Sequence, residues 1–235
     1  MTRIATLSLP AFEVLWEDLR VGGPPHPLEI PHYGDTLDER ARIRAAVHVD
    51  LEHRGLVRRG RPEPELEDAL RLLAKPDLRV VAMGMPSVED SVLLRASLVA
   101  RGGYAVLFVQ HDLSVSVTLV RDNAFAAAVV GVLPPRRRGP GKPVTVPASA
   151  LERERGPGDP GDLAVLRAMV SEPMVGTGHF RVGDEVVTWF DTRAGRYVNV
   201  PARDGWLTVA PADNQDVARH VGRALAEVGR RPGAG

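Results

Sequence analysis

The side chains with the widest chemical reach in this chain cluster on one stretch, TLDERARIRAAVHVDLEHRGL, residues 36–56. His48 and Glu52 stand four residues apart, with His53 next to them, so on a helix they share a face and can begin a metal site. The spacing is not His-Glu-x-x-His, and no distant third ligand can be identified. Without one, these are solvated polar residues of a helix. His26 and His32 fall in a Pro-rich stretch ahead of it and read as loop residues. An enzymatic alternative, a hydrolase or metal-dependent enzyme, would have to draw on His48, Glu52, His179 and Asp191. No Gly-x-Ser-x-Gly elbow is present. Gly156, Gly158 and Gly161 alternate with prolines, which lack the amides a phosphate cradle needs, and Gly176-Thr177-Gly178 reads as a turn. Arg136, Arg137 and Arg138 form a basic run, but Glu152 and Glu154 follow and no aromatics interleave. The run reads as a solvated linker, with a small-ligand or regulatory module as its alternative use.

The element that carries these histidines is the best specified in the chain. Thr36 followed by Glu39 has the form of a capping box. Leu37, Ile43, Val47 and Leu51 recur at helical spacing as a buried stripe, and Gly55 then Leu56 predict a Schellman stop. Before it, Ser8 caps a helix over residues 8–20 with Phe12, Leu15, Trp16 and Leu19 on one face. Gly22-Gly23-Pro24-Pro25 ends that helix, and a short strand is expected from Pro27 to Ile30. A further helix runs from Pro64 to Ala74 with Leu66, Ala69, Leu70 and Leu73 inward.

From Leu78 the period drops to two. Strands at 78–83, 91–100, 104–110 and 114–121 form a meander, with turns at Gly84-Met85-Pro86, Gly102-Gly103 and His111-Asp112. An Ala-rich helix from Asn123 to Val132 follows. Residues 134–161, rich in Pro, Gly and Arg, read as a connector between halves 1–133 and 162–235. The second half repeats the order: a helix at 162–171, strands near 178–182, 185–191, 196–200 and 206–209, and a final amphipathic helix from Asp213 to about Gly229. Strands grouped together with helices before and after indicate α+β.

Composition narrows the function. Formal net charge is zero, from 30 basic and 30 acidic residues, which weighs against nucleic acid and anionic membranes as partners. All basic residues except Lys75 and Lys142 are arginines, as in proteins of GC-rich bacteria. Cysteine is absent, removing disulfides, thiolate nucleophiles and cysteine zinc sites. Glu13, Glu17 and Asp18 interrupt what a signal peptide would need, and no apolar run reaches membrane-spanning length. A cytoplasmic protein without membrane insertion is the default expectation.

Taken in order, several segments resemble the EspG family, chaperones of the type VII (ESX) secretion systems of actinobacteria. The residues that carry the resemblance begin with the Pro-rich turn into Leu28-Glu29-Ile30, then Thr36, Glu39 and Arg40. Arg54-Gly55-Leu56 follows, and then Leu72-Leu73-Ala74-Lys75-Pro76. In the second half they are Gly176 to Phe180, Asp191 to Tyr197, and Pro211-Ala212-Asp213. The resemblance implies one EspG-like domain over 1–235: an antiparallel central sheet flanked by helices, in two similar halves with a pseudo-two-fold relation. It implies no catalysis and no cofactor. The partner it implies is a helical-hairpin secretion substrate of PPE-like or Trp-x-Gly type, whose apolar tip the chaperone covers until export. Met83, Met85, Pro86 and Val88 at a strand turn, and Val217, Val221, Leu225 and Val228 on the last helix, are the candidate partner-binding residues. For the last-helix stripe, ordinary core is the competing reading. Asp191 to Tyr197 reads as a hairpin turn in which Asp191 accepts from turn amides or pairs with Arg193 or Arg196. A homodimer through the strand Ser91 to Ala100 is a further possibility.

Overall fold

The computed structural model describes residues 1–23, 25–121, 124–150, 161–201 and 205–230. Pro24, the helix start expected at Asn123, and the Glu152 to Pro160 part of the connector lie outside the described residues. The chain divides into two compact units, Met1–Val81 with Arg95–Ala128, and Ala82–Leu94 with Val129–Gly235.

Unit 1 begins with a strand that the sequence reading missed, β1 (Thr2–Ser8), which pairs antiparallel with β7 (Ser114–Val120). Its alternation buries Ala5 and Leu7. Ser8 then caps α1 (Leu9–Asp18), its hydroxyl accepting from the Ala11 amide at 3.3 Å. Phe12, Val14 and Leu15 of this helix are fully buried. The Trp16 indole, stacked on Phe12, donates to the carbonyls of Gly22 and Gly23 and so ties down the glycine turn. The strand expected at Pro27–Ile30 does not form. The Gln110 carboxamide instead accepts from the Glu29 amide (2.7 Å) and donates to its carbonyl (2.8 Å), doing for that backbone what a neighbouring strand would.

The well-specified helix is α2 (Leu37–His53). Thr36 accepts from the Glu39 amide, but the Glu39 carboxylate reaches back to the amide of Asp35 and not to Thr36. At the far end Gly55, at φ +68°, donates to Glu52, and Leu56 donates to Leu51 at 2.8 Å, the expected Schellman pair. Val47 and Leu51 are buried and Ile43 packs against the core. Leu37 is 89% exposed, which corrects the predicted stripe. At that turn the inward position belongs to Arg40, whose guanidinium spans Glu13 and Glu17 of α1. After the two-residue strands β2 (Val57–Arg58) and β3 (Arg61–Pro62), α3 (Pro64–Ala74) buries Leu66, Ala69, Leu70 and Leu73 as read. The sheet of this unit runs β1-β7-β6-β5-β4, antiparallel, where β4 is Leu78–Ser87, β5 Val92–Arg101 and β6 Tyr104–His111. Because β5 lies between two neighbours, it has no free edge for pairing with another copy. Unit 1 ends at Ala128, within the short helix α4 (Phe125–Val130), which is narrower than the expected 123–132.

Unit 2 takes the distal part of β4 and continues β4-β9-β10-β11-β12-β8, where β8 is Val144–Pro147, β9 Met174–Val182, β10 Glu185–Thr192, β11 Arg196–Pro201 and β12 Trp206–Pro211. The helices are α5 (Gly161–Val170) and α6 (Asn214–Arg230). Part of the predicted connector is thus a strand. Alternation along β10 and β11 separates two faces. Phe190 and Tyr197, stacked at 5.1 Å, share the face packed with Leu163, Leu166 and Met169 of α5. Trp189 and Asp191 turn the other way, where α6 lies against β9 and β10. Arg196 shares that face and bonds to Asn214 at the start of α6. Each unit is α+β with an antiparallel sheet, as expected.

Two glycine-rich segments expected to be turns are strand interior. β4 runs through Gly84-Met85-Pro86, and β9 contains Gly176 and Gly178. A Cβ on Gly84 would sit 2.6 Å from Gly178 Cα, and one on Gly176 the same distance from the Pro86 carbonyl oxygen. The glycines serve close approach of two backbones, a role that leaves the same residue types as a turn. The real turn is Val88 to Ser91, where Ser87 Oγ accepts from the Asp90 amide and Ser91 adopts φ +53°.

Candidate functional site

The histidine-bearing face of α2 is occupied by structural work. Glu13, Glu17 and Asp18 of α1 face Arg40, Arg44 and His48 of α2 in an alternating ionic ladder. His48 Nε2 meets Asp18 Oδ2 at 3.0 Å, and His32 Nδ1 meets Glu13 Oε1 at 2.7 Å. The Arg40 hydrogen bond, with burial opposing it, holds the Glu17 carboxyl below its ordinary value. Glu52 and His53 are exposed. Among the described residues no three His, Asp or Glu side chains gather as a metal site would require. Beside the ladder lies a cleft of about 320 Å³ lined by Phe12, Trp16, Pro25, Ile30, Glu13 and Glu17. Arg40 bonds to both of its carboxylates.

The Asp191 to Tyr197 hairpin is not a surface turn. Asp191 and Arg196 are cross-strand partners in register and each is 0% exposed. Their pair is bidentate, at 2.7 and 2.8 Å, with Arg136 a second cation 3.6 Å from Asp191. The Arg196 guanidinium also lies 5.2 Å above the Trp189 ring. Of the two arginines open to Asp191 in the sequence, the strand register selects Arg196. The basic run feeds the same construction: Arg138 bridges to Asp216 at 2.5 and 2.9 Å, and Arg137 donates to the Ala194 carbonyl. These arginines hold a segment onto a sheet, which removes the solvated-linker reading for residues 136–138.

Of the residues expected to meet a partner, Met83, Met85 and Pro86 are partly buried within β4, and Val88 is exposed at its turn. Val217 and Val221 are fully buried, so the stripe of α6 is core. Leu225 and Val228 on the same helix are partly buried. One end of unit 2 remains open. Val88, Val92 and Leu93 around the β4–β5 turn are 46–48% exposed, Val170 at the end of α5 is 48%, and Met174 at the start of β9 is 55%. The Val88 amide donates to the Val175 carbonyl at 2.9 Å, which holds the turn beside β9. A cavity of about 200 Å³ opens here, lined by Val170, Glu172, Met174, Thr177, Thr188, Phe190 and Thr192. It is roomy enough for one large aliphatic or aromatic side chain, with threonine hydroxyls and one carboxylate at its walls.

Val92, Leu93, Val170 and Met174 escaped the sequence reading because each continues a pattern that normally buries its residues. Their signal is position: Val92 and Leu93 are the first two residues of β5, Val170 is the last of α5 and Met174 the first of β9. The α5 helix ends at Val170, before it can cover the start of β9.

Comparison with known proteins was made with this geometry in hand. The model of the EspG family matches residues 8–223. Among solved structures, the chain is similar to the Mycobacterium tuberculosis type VII secretion system chaperone EspG5, determined in complex with a PE25–PPE41 dimer. The alignment covers 94% of this chain and 95% of that one, with a TM-score of 0.66 and 19% identity. At that identity the likeness is one of fold. No curated protein matches the chain.

Proposed function

Because this chain belongs to the EspG family, we propose that it is a cytoplasmic type VII secretion chaperone that binds the apolar tip of a helical-hairpin substrate of the PE/PPE kind. It keeps that substrate soluble and presents it for export, and it catalyses nothing. The observation that supports this best is the open end of unit 2. Five large apolar side chains, each about half exposed, stand at this end, and two of them, Val170 and Met174, line a cavity sized for one side chain. Leaving such surface in water is unfavourable, at roughly 25 cal/mol per Å² of apolar area, and a partner that covers it recovers that free energy. A helical hairpin has the complementary problem, because the apolar residues at its tip have no third helix to cover them. The solved EspG5 complex, with its PE25–PPE41 dimer, supplies the precedent for the partner class. The family match crosses both units, which supports reading the chain as one EspG-like domain.

The test is co-expression with helical-hairpin proteins of PE/PPE or Trp-x-Gly type, followed by size exclusion. A stable complex is expected for the native chain, and its loss for Val88→Asp with Leu93→Asp. Failure of the native chain to co-elute with any such protein would sink the proposal.

A further inference from the structure

The β2–β3 hairpin of unit 1 is built against its own local preferences, and what it displays is arginine. We infer that its tip, Arg58, Arg59 and Arg61, binds a short acidic segment of a partner protein, an extended strand with carboxylates at alternate positions. The base of the hairpin is fixed on both sides. Val57 is 3% exposed and its partner in register, Pro62, is buried. The Leu56 amide donates to Leu51 at the stop of α2, and the Glu63 amide donates to the Leu56 carbonyl at 2.9 Å. Arg58, Arg59, Gly60 and Arg61, on the other face and at the turn, are all exposed.

Each choice at the tip costs stability. Arg59 and Gly60 sit at φ +51° and +74°, the two left-handed positions of a type I′ turn. Asparagine or glycine takes the first of these at little cost, whereas an arginine is strained there. Arg58 and Arg61 face each other directly across the two strands, a like-charge pairing that destabilises a ladder. Glu63 relieves one of them, its carboxylate 3.3 Å from Arg58 Nε. Among the described residues Arg59 and Arg61 have no hydrogen-bond or ion-pair partner. Local preferences broken together on a firmly anchored element mark a site that acts on something outside the chain. Forked guanidiniums pair bidentately with planar carboxylates. Directly opposed strand residues lie about 5.5 Å apart at Cα, and alternate residues of an extended chain about 6.7 Å apart. Two successive acids on one side of a strand therefore reach Arg58 and Arg61 together. A long polyanion fits less well, because Glu65 and Asp68, both exposed, follow the hairpin at the start of α3.

Arg59→Asn with Arg61→Thr installs the residues that this turn and strand prefer, so its melting temperature should equal or exceed that of the native chain. The probes are dye-labelled peptides with glutamate, or glutamine, at three alternate positions, read by fluorescence anisotropy. At low salt the native chain should bind the glutamate peptide about tenfold more tightly than the glutamine one, with the preference shrinking as salt rises. The hairpin variant should lose that preference. Arg42→Gln with Arg181→Gln, the same loss of charge at exposed sites elsewhere, should keep it. Equal binding of the two peptides by the native chain, or an undiminished preference in the hairpin variant, overturns the inference. So does tighter binding of single-stranded DNA or phosphatidylserine vesicles than of the glutamate peptide, which would assign the tip to a polyanion. Salt-sensitive dimerisation of the free chain, abolished in the hairpin variant, would assign it to a second copy and overturn the inference too. A variant that melts below the native chain would show that the arginines serve the fold, with the same consequence. The chaperone reading stands apart from all of these outcomes, since its test lies at Val88 and Leu93.

Discussion

At the scale of single residues, the most consequential is Asp191, a carboxylate with no exposed surface held by Arg196 and Arg136. Burying two ions is costly, and their attraction offsets that cost only while both remain. Removing one leaves an uncompensated charge. Asp191→Ala is therefore expected to destabilise by about 3–5 kcal/mol, read as a lowered midpoint in urea with an unchanged slope. A midpoint within error of the native one would show that the pair contributes nothing. His220 on α6 gives a residue-level pH dependence. Burial, aided by Arg223 and Arg219, lowers its pKa below the ordinary value. The unfolded chain then binds a proton more readily than the native one, so stability falls as pH drops through about 6.5 and levels off below the native pKa. Thermal melts between neutral pH and pH 5 should show that fall reduced in His220→Gln.

At the scale of elements, α2 shows what local chemistry decides. Its cap, stop and inner residues Val47 and Leu51 were legible because each depends on neighbours within one turn. Thr36→Ala should cost about 1 kcal/mol through the lost cap, while Leu37→Lys, at an exposed site, should stay within about 0.5 kcal/mol of native in chemical denaturation. A large loss for the second variant would mean that Leu37 is covered in solution. The Gly84 segment shows what local chemistry leaves open. Gly-Met-Pro serves a turn or a tight strand crossing equally well, and only the opposite strand, with Gly176 and Gly178, decides between them. Gly84→Ala discriminates: a turn would tolerate it, whereas here the new methyl meets backbone that cannot swing away. A loss of about 1–3 kcal/mol is expected. The same dependence on distant partners hid β1, left Arg193 and Arg196 both open as the mate of Asp191, and made the α6 stripe look like a possible docking face. An amphipathic helix displays the same pattern whether a sheet or another protein covers it.

At the scale of the whole molecule, the balance of 30 basic against 30 acidic residues removes net self-repulsion near neutral pH, while one end of unit 2 leaves apolar side chains in water. Together these make the free chain prone to associate through its binding surface. Substitution at that surface should then separate from substitution in the core. Val88→Asp with Leu93→Asp should leave the melting temperature near native, because both side chains are already half in water, and should make the free protein more monodisperse in light scattering at high concentration. Val221→Ala removes methyl groups from a fully buried site and should instead lower stability, by roughly 1–3 kcal/mol, without improving dispersity. If the tip variant melts far below native, or associates as readily as native, then the exposed end is part of the core in solution. A partner-binding role for that surface would then have lost its physical basis.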